Sequence, residues 1–258
     1  LPTAELVEQI LELKAGEAIF HEEDVVAFHA YEEQEVKFED CTAIEMEGKT
    51  IIIEHPWDIF KNNGAAITAD YQLLTHDRKS EPLSATNKVI APENIFIEKG
   101  ARVECATLNA STGPIYIAAD AEIMEGSTVR GPFCIGTEST LKMGTRIYGP
   151  TTVGPYCKIG GEVTNSVIFA YSNKSHDGYL GNSVLGEWCN IGADTNTSNL
   201  KNDYSDVRLW SYASERFAPT GLQFCGLMMG DHSKCAINTM FNTGTVVGVS
   251  SNVFGAGF

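Results

Sequence analysis

A period of six constrains this chain more than any other feature of its sequence. Aliphatic side chains stand at Ile117, Ile123, Val129, Ile135, Leu141, Ile147, Val153 and Ile159, each six residues after the last. Two positions ahead of these come Ala121, Ser127, Phe133, Ser139, Thr145, Thr151 and Cys157, small in every case but one. The pattern returns as Met229, Cys235, Phe241, Val247 and Val253, accompanied by Ser233, Thr239, Thr245, Ser251 and Gly257. An amphipathic helix repeats at 3.6 and a half-buried strand at 2, so neither accounts for it. A hexad describes one flat side of a triangular coil, in which three hexads close a turn and successive turns stack as parallel strands about 4.8 Å apart. The aliphatic residue points into the prism and the small residue fits beside the corner. Glycine or asparagine supplies the left-handed backbone angles that corners need. The expected fold is mainly β, a left-handed parallel β-helix over residues 86–258.

Such a coil accepts insertions only as loops extruded from its corners. Three are expected, at 104–114, 160–179 and 196–226. The last is long, polar and aromatic, the kind of loop that carries binding or assembly.

Residues 1–85 read as a separate region. The segment TAELVEQILELK places Leu6, Ile10 and Leu13 on one helical face, with Gly16 as a stop. The short apolar runs EAIF, DVVAFHA and TIIIEH predict a small mixed α/β segment. Ile59, Phe60, Ala66, Ile67, Tyr71 and Leu74 predict a connector helix, with Asn62-Asn63-Gly64 as a possible break. Residues 77–88, polar and holding Pro82, predict a loop. The chain starts at Leu1 and stops at Phe258 within a repeat. Both ends are therefore expected to be cuts in a longer protein, with residues 1–85 the tail of a truncated α/β domain plus the connector helix.

The formal net charge of -16 repels phosphate backbones and anionic lipid, which argues against nucleic acid and membrane surfaces as partners. A phosphorylated ligand would need a local cationic pocket. The seven cysteines form no C-x-x-C pair and fit neither a zinc site nor a compact disulfide framework, which points to a reducing cytoplasm. No apolar run reaches the ~18 residues of a membrane span, and no secretion signal is evident.

The most specific segment is Lys174-Ser-His-Asp-Gly-Tyr-Leu-Gly181, followed by Asn190-Ile-Gly-Ala-Asp-Thr195 and by Asn199. It resembles the amino-sugar-phosphate acetyltransferases of the hexapeptide-repeat class, the acyltransferase half of the bifunctional acetyltransferase/uridyltransferases. In that family a histidine is followed three residues later by the tyrosine of Y-L-G, then by an N-I-G-A-x-T coil and a further asparagine. The resemblance covers residues 89–258 and implies acetyl transfer from acetyl-CoA to an amino-sugar phosphate. It makes His176 the general base and Asn199 a second catalytic residue that holds the sugar or polarises the acyl carbonyl. Tyr179 and Asn190 would contact the sugar phosphate. An amine attacking a thioester must lose a proton, and a neutral imidazole can take it near neutral pH.

The sequence also departs from that family. Thr164 stands where the family has a phosphate-binding lysine, and Lys158 reaches that place only if a gap is allowed. Arg146 is left as a candidate phosphate-binding guanidinium. Lys174, Lys201 and Arg208 read as solvated surface charges. Residues 1–85 resemble the tail of a sugar-nucleotide-forming domain but lack a glycine-rich phosphate loop. Nucleotidyltransferase activity, and the Mg2+ it uses, are thus expected only of an intact protein.

Two other readings compete. One is a noncatalytic β-helix that trimerises or regulates a sugar-1-phosphate nucleotidyltransferase. The other is a metal-dependent hydratase, which needs three histidines gathered across coils and subunits, whereas the repeats hold only His176 and His232. His232 reads as a solvent-facing coil residue. Prisms packed side by side make deep clefts, so a homotrimer is expected, with CoA along residues 227–258 and its thioester near His176. Loop 196–226 would reach over a neighbour or serve as an assembly arm.

Overall fold

The computed structural model describes residues 2–30, 41–48 and 50–255, so Gly257 of the second repeat run lies outside the described residues. The chain divides into two compact units, residues 1–53 and 54–258.

In the first unit, helix α1 (Ala4–Glu12) starts at Thr3, whose hydroxyl accepts from the Leu6 amide at 3.2 Å. Its apolar face buries Leu6, and Leu13 just beyond it is buried too, whereas Ile10 remains 36% exposed. Strands β1 (Glu17–His21) and β2 (Asp24–Phe28) form an antiparallel pair, and β3 (Thr42–Glu45) runs parallel to β1. Ile19 of β1 is fully buried against Leu6 and Leu13. The apolar run at 50–55 forms no strand. Its place in the small sheet is taken by β3.

The second unit opens with helix α2 (Pro56–Thr75), unbroken through Asn62-Asn63-Gly64. Pro56 suits the first helical turn, and the Asp58 carboxylate accepts the His55 amide at 2.9 Å. The expected break is instead the contact surface with the coil. Asn63 donates to the Pro150 carbonyl at 3.0 Å and accepts from the Thr152 hydroxyl at 2.7 Å. A Cβ at Gly64 would come within 2.9 Å of Pro150. No helix among the described residues is long and apolar enough to cross a membrane.

Residues 88–253 wind into a triangular parallel coil. Two of its faces are eight-stranded parallel sheets. The remaining face is a six-stranded sheet ending at Tyr179–Gly181, followed by the pair Asn196–Thr197 and Met240–Phe241. The hexad residues point inward as expected. Ile117 through Ile159 are at most 2% exposed, and the small partners from Ala121 to Cys157, with Phe133, are wholly buried. At roughly 25 cal/mol per Å2 of buried apolar surface, this continuous column is the main source of stability.

Two corrections concern the insertions and corners. Residues 160–179 are not an extruded loop but further coil strands, Glu162–Thr164, Val167–Ile168 and Asn173–Lys174. Their corners are shorter, so the inward residues Ile159, Val163 and Ile168 lose the six-residue spacing. The insertion at 104–114 is confined to the corner after strand Thr107–Asn109. At another corner the left-handed angles are taken by Tyr156, Tyr171, Trp188 and His232 rather than by glycine or asparagine. Their rings stack along the coil with centroids 5.1, 4.4 and 6.0 Å apart, a contact that offsets the backbone strain of bulky residues at positive φ.

The 196–226 segment does leave the coil and forms an antiparallel hairpin of Arg208–Ser211 with Arg216–Pro219. Within the single chain its base folds back, burying Val207, Leu209 and Cys225 against Trp57, Phe60 and Met228.

A third correction is chemical. Lys174, expected in solvent, occupies an inward hexad position at 2% exposure. Its Nζ donates to the carbonyls of Gly160 at 2.9 Å and His176 at 2.8 Å. Burial pushes the ammonium down to about 8, with Asp177 opposing and Arg146 adding to the shift.

Two outcomes follow for stability. Ile135→Ala should cost about 3 kcal/mol in urea unfolding, whereas Met143→Ala, at a side chain 72% exposed, should stay within about 0.5 kcal/mol. For Lys174, the unfolded chain keeps its proton up to the ordinary lysine value of 10.5 while the folded chain sheds it near 8. The charge therefore weakens the fold fully below pH 8, and that penalty is relieved as pH rises towards 10.5. Measured against Lys174→Met, the wild type should gain up to about 3 kcal/mol over that window. A difference independent of pH would contradict the buried charge.

Candidate active site

The corner formed by residues 175–178 separates two faces of the coil, and the candidate residues divide between them. His176 stands exposed at this corner. It lines a shallow cavity of about 410 Å3 together with Lys158, Asn173, Ser175, Asn190 and Ile237. Lys158, Asn173 and Asn190 belong to one outward column, since Lys158 pairs with Asn173 and Asn173 with Asn190 in the parallel ladder. The exposed ammonium of Lys158 thus shares a cavity with the His176 imidazole.

Tyr179 and Asn199 meet on the adjoining face. Asn199 Nδ2 donates to the Tyr179 hydroxyl at 2.9 Å and to Asn182 Oδ1 at 2.7 Å. Gly181 makes this possible, because a Cβ there would lie 2.2 Å from the Tyr179 hydroxyl and 2.8 Å from Asn199 Nδ2. Burial raises the Tyr179 phenol above its usual range, with the Asn199 bond opposing, so the ring presents a neutral hydroxyl at physiological pH.

Arg146 stands in the same column as Tyr179, with Glu162 between them. The guanidinium lies 3.6 Å from the Glu162 carboxylate, and the Tyr148 hydroxyl donates to that carboxylate at 2.6 Å. This bond pushes Tyr148 up to about 12. Thr164 also lies on this face, paired in register with Gly181.

Above Tyr179 the backbone ladder gives way to side-chain bonds. The Tyr179 amide donates to Asn196 Oδ1 at 3.0 Å and the Gly181 amide to Thr197 Oγ1 at 3.3 Å. The amide-rich outward surface is therefore built into the coil's own strand pairing.

The structure thus brings His176 to Asn190 and Tyr179 to Asn199, on two faces meeting at one corner. Sequence reasoning missed Glu162, Asn173 and Asn182. Their outward positions follow only once the shortened corners are known. Among the described residues no group of three or more His, Cys, Asp or Glu side chains is arranged to hold a metal ion.

Residues 1–79 match a family model described as sugar nucleotidyl transferase. The bifunctional sugar-1-phosphate nucleotidylyltransferase/acetyltransferase of Sulfurisphaera tokodaii is 35% identical over 144 residues, covering 55% of this chain and 35% of that protein. The bifunctional protein GlmU of Methanococcus maripaludis is 31% identical over 216 residues, covering 83% of this chain and 45% of that protein. Its counterpart from Methanocaldococcus jannaschii is 36% identical over 87 residues, 34% of this chain and 21% of that protein. The chain spans less than half the length of these relatives. It is a hexapeptide-coil protein that resembles, over part of their length, the bifunctional sugar-1-phosphate nucleotidylyltransferase/acetyltransferases.

Proposed function

We propose that the coil transfers an acetyl group from acetyl-CoA to the amine of an amino-sugar phosphate, as part of sugar-nucleotide synthesis in the cytoplasm. The observation that carries this reading is the 175–178 corner. An exposed imidazole shares a cavity with Asn190 and Lys158, and a neutral Tyr179–Asn199 pair lies immediately around the bend. The amine attacks the thioester carbon, forming the C–N bond, and His176 takes the proton released from nitrogen. The C–S bond then breaks, and the CoA thiolate leaves and is protonated. Asn199 has the donor chemistry to hold the sugar or the acyl oxygen, and Tyr179 and Asn190 supply further polar contacts.

For the phosphate, Lys158 is the better placed cation. It shares the cavity with His176, whereas Arg146 is engaged by Glu162. The two faces of one prism diverge from the corner, so a homotrimer that sets a neighbour's prism against it would turn an open edge into a cleft. The Sulfurisphaera tokodaii relative is also named for a sugar-1-phosphate nucleotidylyltransferase activity; a longer protein carrying a complete domain of that kind would add that activity, with Mg2+.

A second reading, a noncatalytic trimerising coil, is favoured by one observation: the positions next to Tyr179 and Gly181 in the ladder are Glu162 and Thr164, neither a cation, and Arg146 one turn further is bound by Glu162. Thiol release from acetyl-CoA with glucosamine 1-phosphate separates the two. Acyl transfer requires turnover in the assembled wild type and a loss of about 10²-fold or more in His176→Ala. Lys158→Ala should raise KM for the sugar phosphate by about 10-fold with a smaller change in kcat, as expected for a phosphate contact. Neither acetyl-CoA binding by calorimetry nor thiol release in a trimer would leave the scaffold reading.

A further inference from the structure

The inward column that passes through Ile159, Lys174 and Ile191 is aliphatic on either side of a single ammonium. A methionine or leucine would fill the same space without the cost of desolvating a charge. What lysine adds is two hydrogen bonds, to the carbonyls of Gly160 and His176. Among the described residues, neither carbonyl accepts a backbone bond from a neighbouring turn, whereas those of Lys174, Asp177 and Gly178 do. The ammonium therefore satisfies two acceptors that the ladder leaves over at this corner, and one of them belongs to the residue carrying the candidate base.

The surrounding backbone is shaped for that ammonium. A Cβ at Gly161 would come within 2.9 Å of Lys174 Nζ, and one at Gly160 would lie 2.2 Å from the Ser175 carbonyl. At Gly178 an added Cβ would lie 2.1 Å from the Thr195 carbonyl. Glycine on both strands lets the 175–178 corner close down onto the buried nitrogen. Asp177 on the corner and Arg146 on the preceding turn are the charged groups that act on it.

We propose that Lys174 is a positioning residue for His176: its buried ammonium fixes the peptide of residue 176 from inside the coil and so aims the imidazole into the cavity it shares with Asn190 and Lys158. Coil stability is given up for this placement. The inference rests on the reading of His176 as the general base.

The test uses the full chain with Lys174→Met and Lys174→Gln, the second retaining an amide donor. Lys174→Met should melt at or above the wild-type temperature. Its kcat should fall on the order of 10²-fold, as for a base displaced by about 1 Å, with KM for acetyl-CoA within about twofold. Lys174→Gln should recover part of kcat. A second readout does not depend on turnover. In 1H–13C spectra of the imidazole rings, assigned with His176→Ala, the His176 signals should shift or broaden in Lys174→Met while those of His232 stay in place. Unchanged His176 signals together with unchanged kcat would overturn the proposal. If the wild type shows no thiol release, moved His176 signals still support positioning while the acyl-transfer reading fails, and unmoved signals overturn both. Should Lys174→Met not fold, Lys174→Gln carries the same comparisons.

Discussion

The stacking of inward side chains, turn upon turn, fixes the direction of every other residue in the coil. Because Ile135 rests on Ile117 and Val153 on Ile135 in strict register, the residues between them must face outward in columns. Lys158, Asn173 and Asn190 form one such column, and Arg146, Glu162 and Tyr179 another. The candidate active site is thus not a loop folded over a scaffold. It is a consequence of where the prism turns a corner, with side chains from two columns on either side of it.

This construction explains why the corner can bear an unusual interior. A parallel coil closes most of its backbone bonds between adjacent turns, so a carbonyl left over is found at a corner. At the corner between Lys174 and Leu180, a lysine takes up two such acceptors, the carbonyls of Gly160 and His176. A buried charge of this kind weakens a fold, and its two hydrogen bonds to the corner are what it supplies in return. Another corner uses a different device, a stack of aromatic rings that holds strained backbone angles by contact between turns.

Much of the coil was legible in the sequence, because the hexads from Ile117 to Ile159 and those from Met229 to Val253 each hold a strict period of six. The turns between them were not. Val163 follows Ile159 by four residues and Ile168 follows Val163 by five, so the period fails although the coil continues. Lys174 then hid the next inward position behind a polar identity. Tyr171 and Trp188 were unreadable as corner residues, since their stacking joins side chains from different turns and leaves no local signal. At the site, the histidine motif led to His176, Tyr179, Asn190 and Asn199. That these fall on two faces, with Lys158 rather than Thr164 beside the imidazole, required the register of the shortened turns.

The most direct measurement is affinity labelling with bromoacetyl-CoA, located by peptide mass spectrometry. The reagent places an electrophilic carbon where the acetyl group would sit, and bromide leaves as the nearest nucleophile bonds to it. If acyl transfer takes place at the 175–178 corner, the adduct forms on the His176 imidazole and excess CoA prevents it. Labelling confined to the exposed Cys105 thiol, or insensitive to CoA, would contradict that placement.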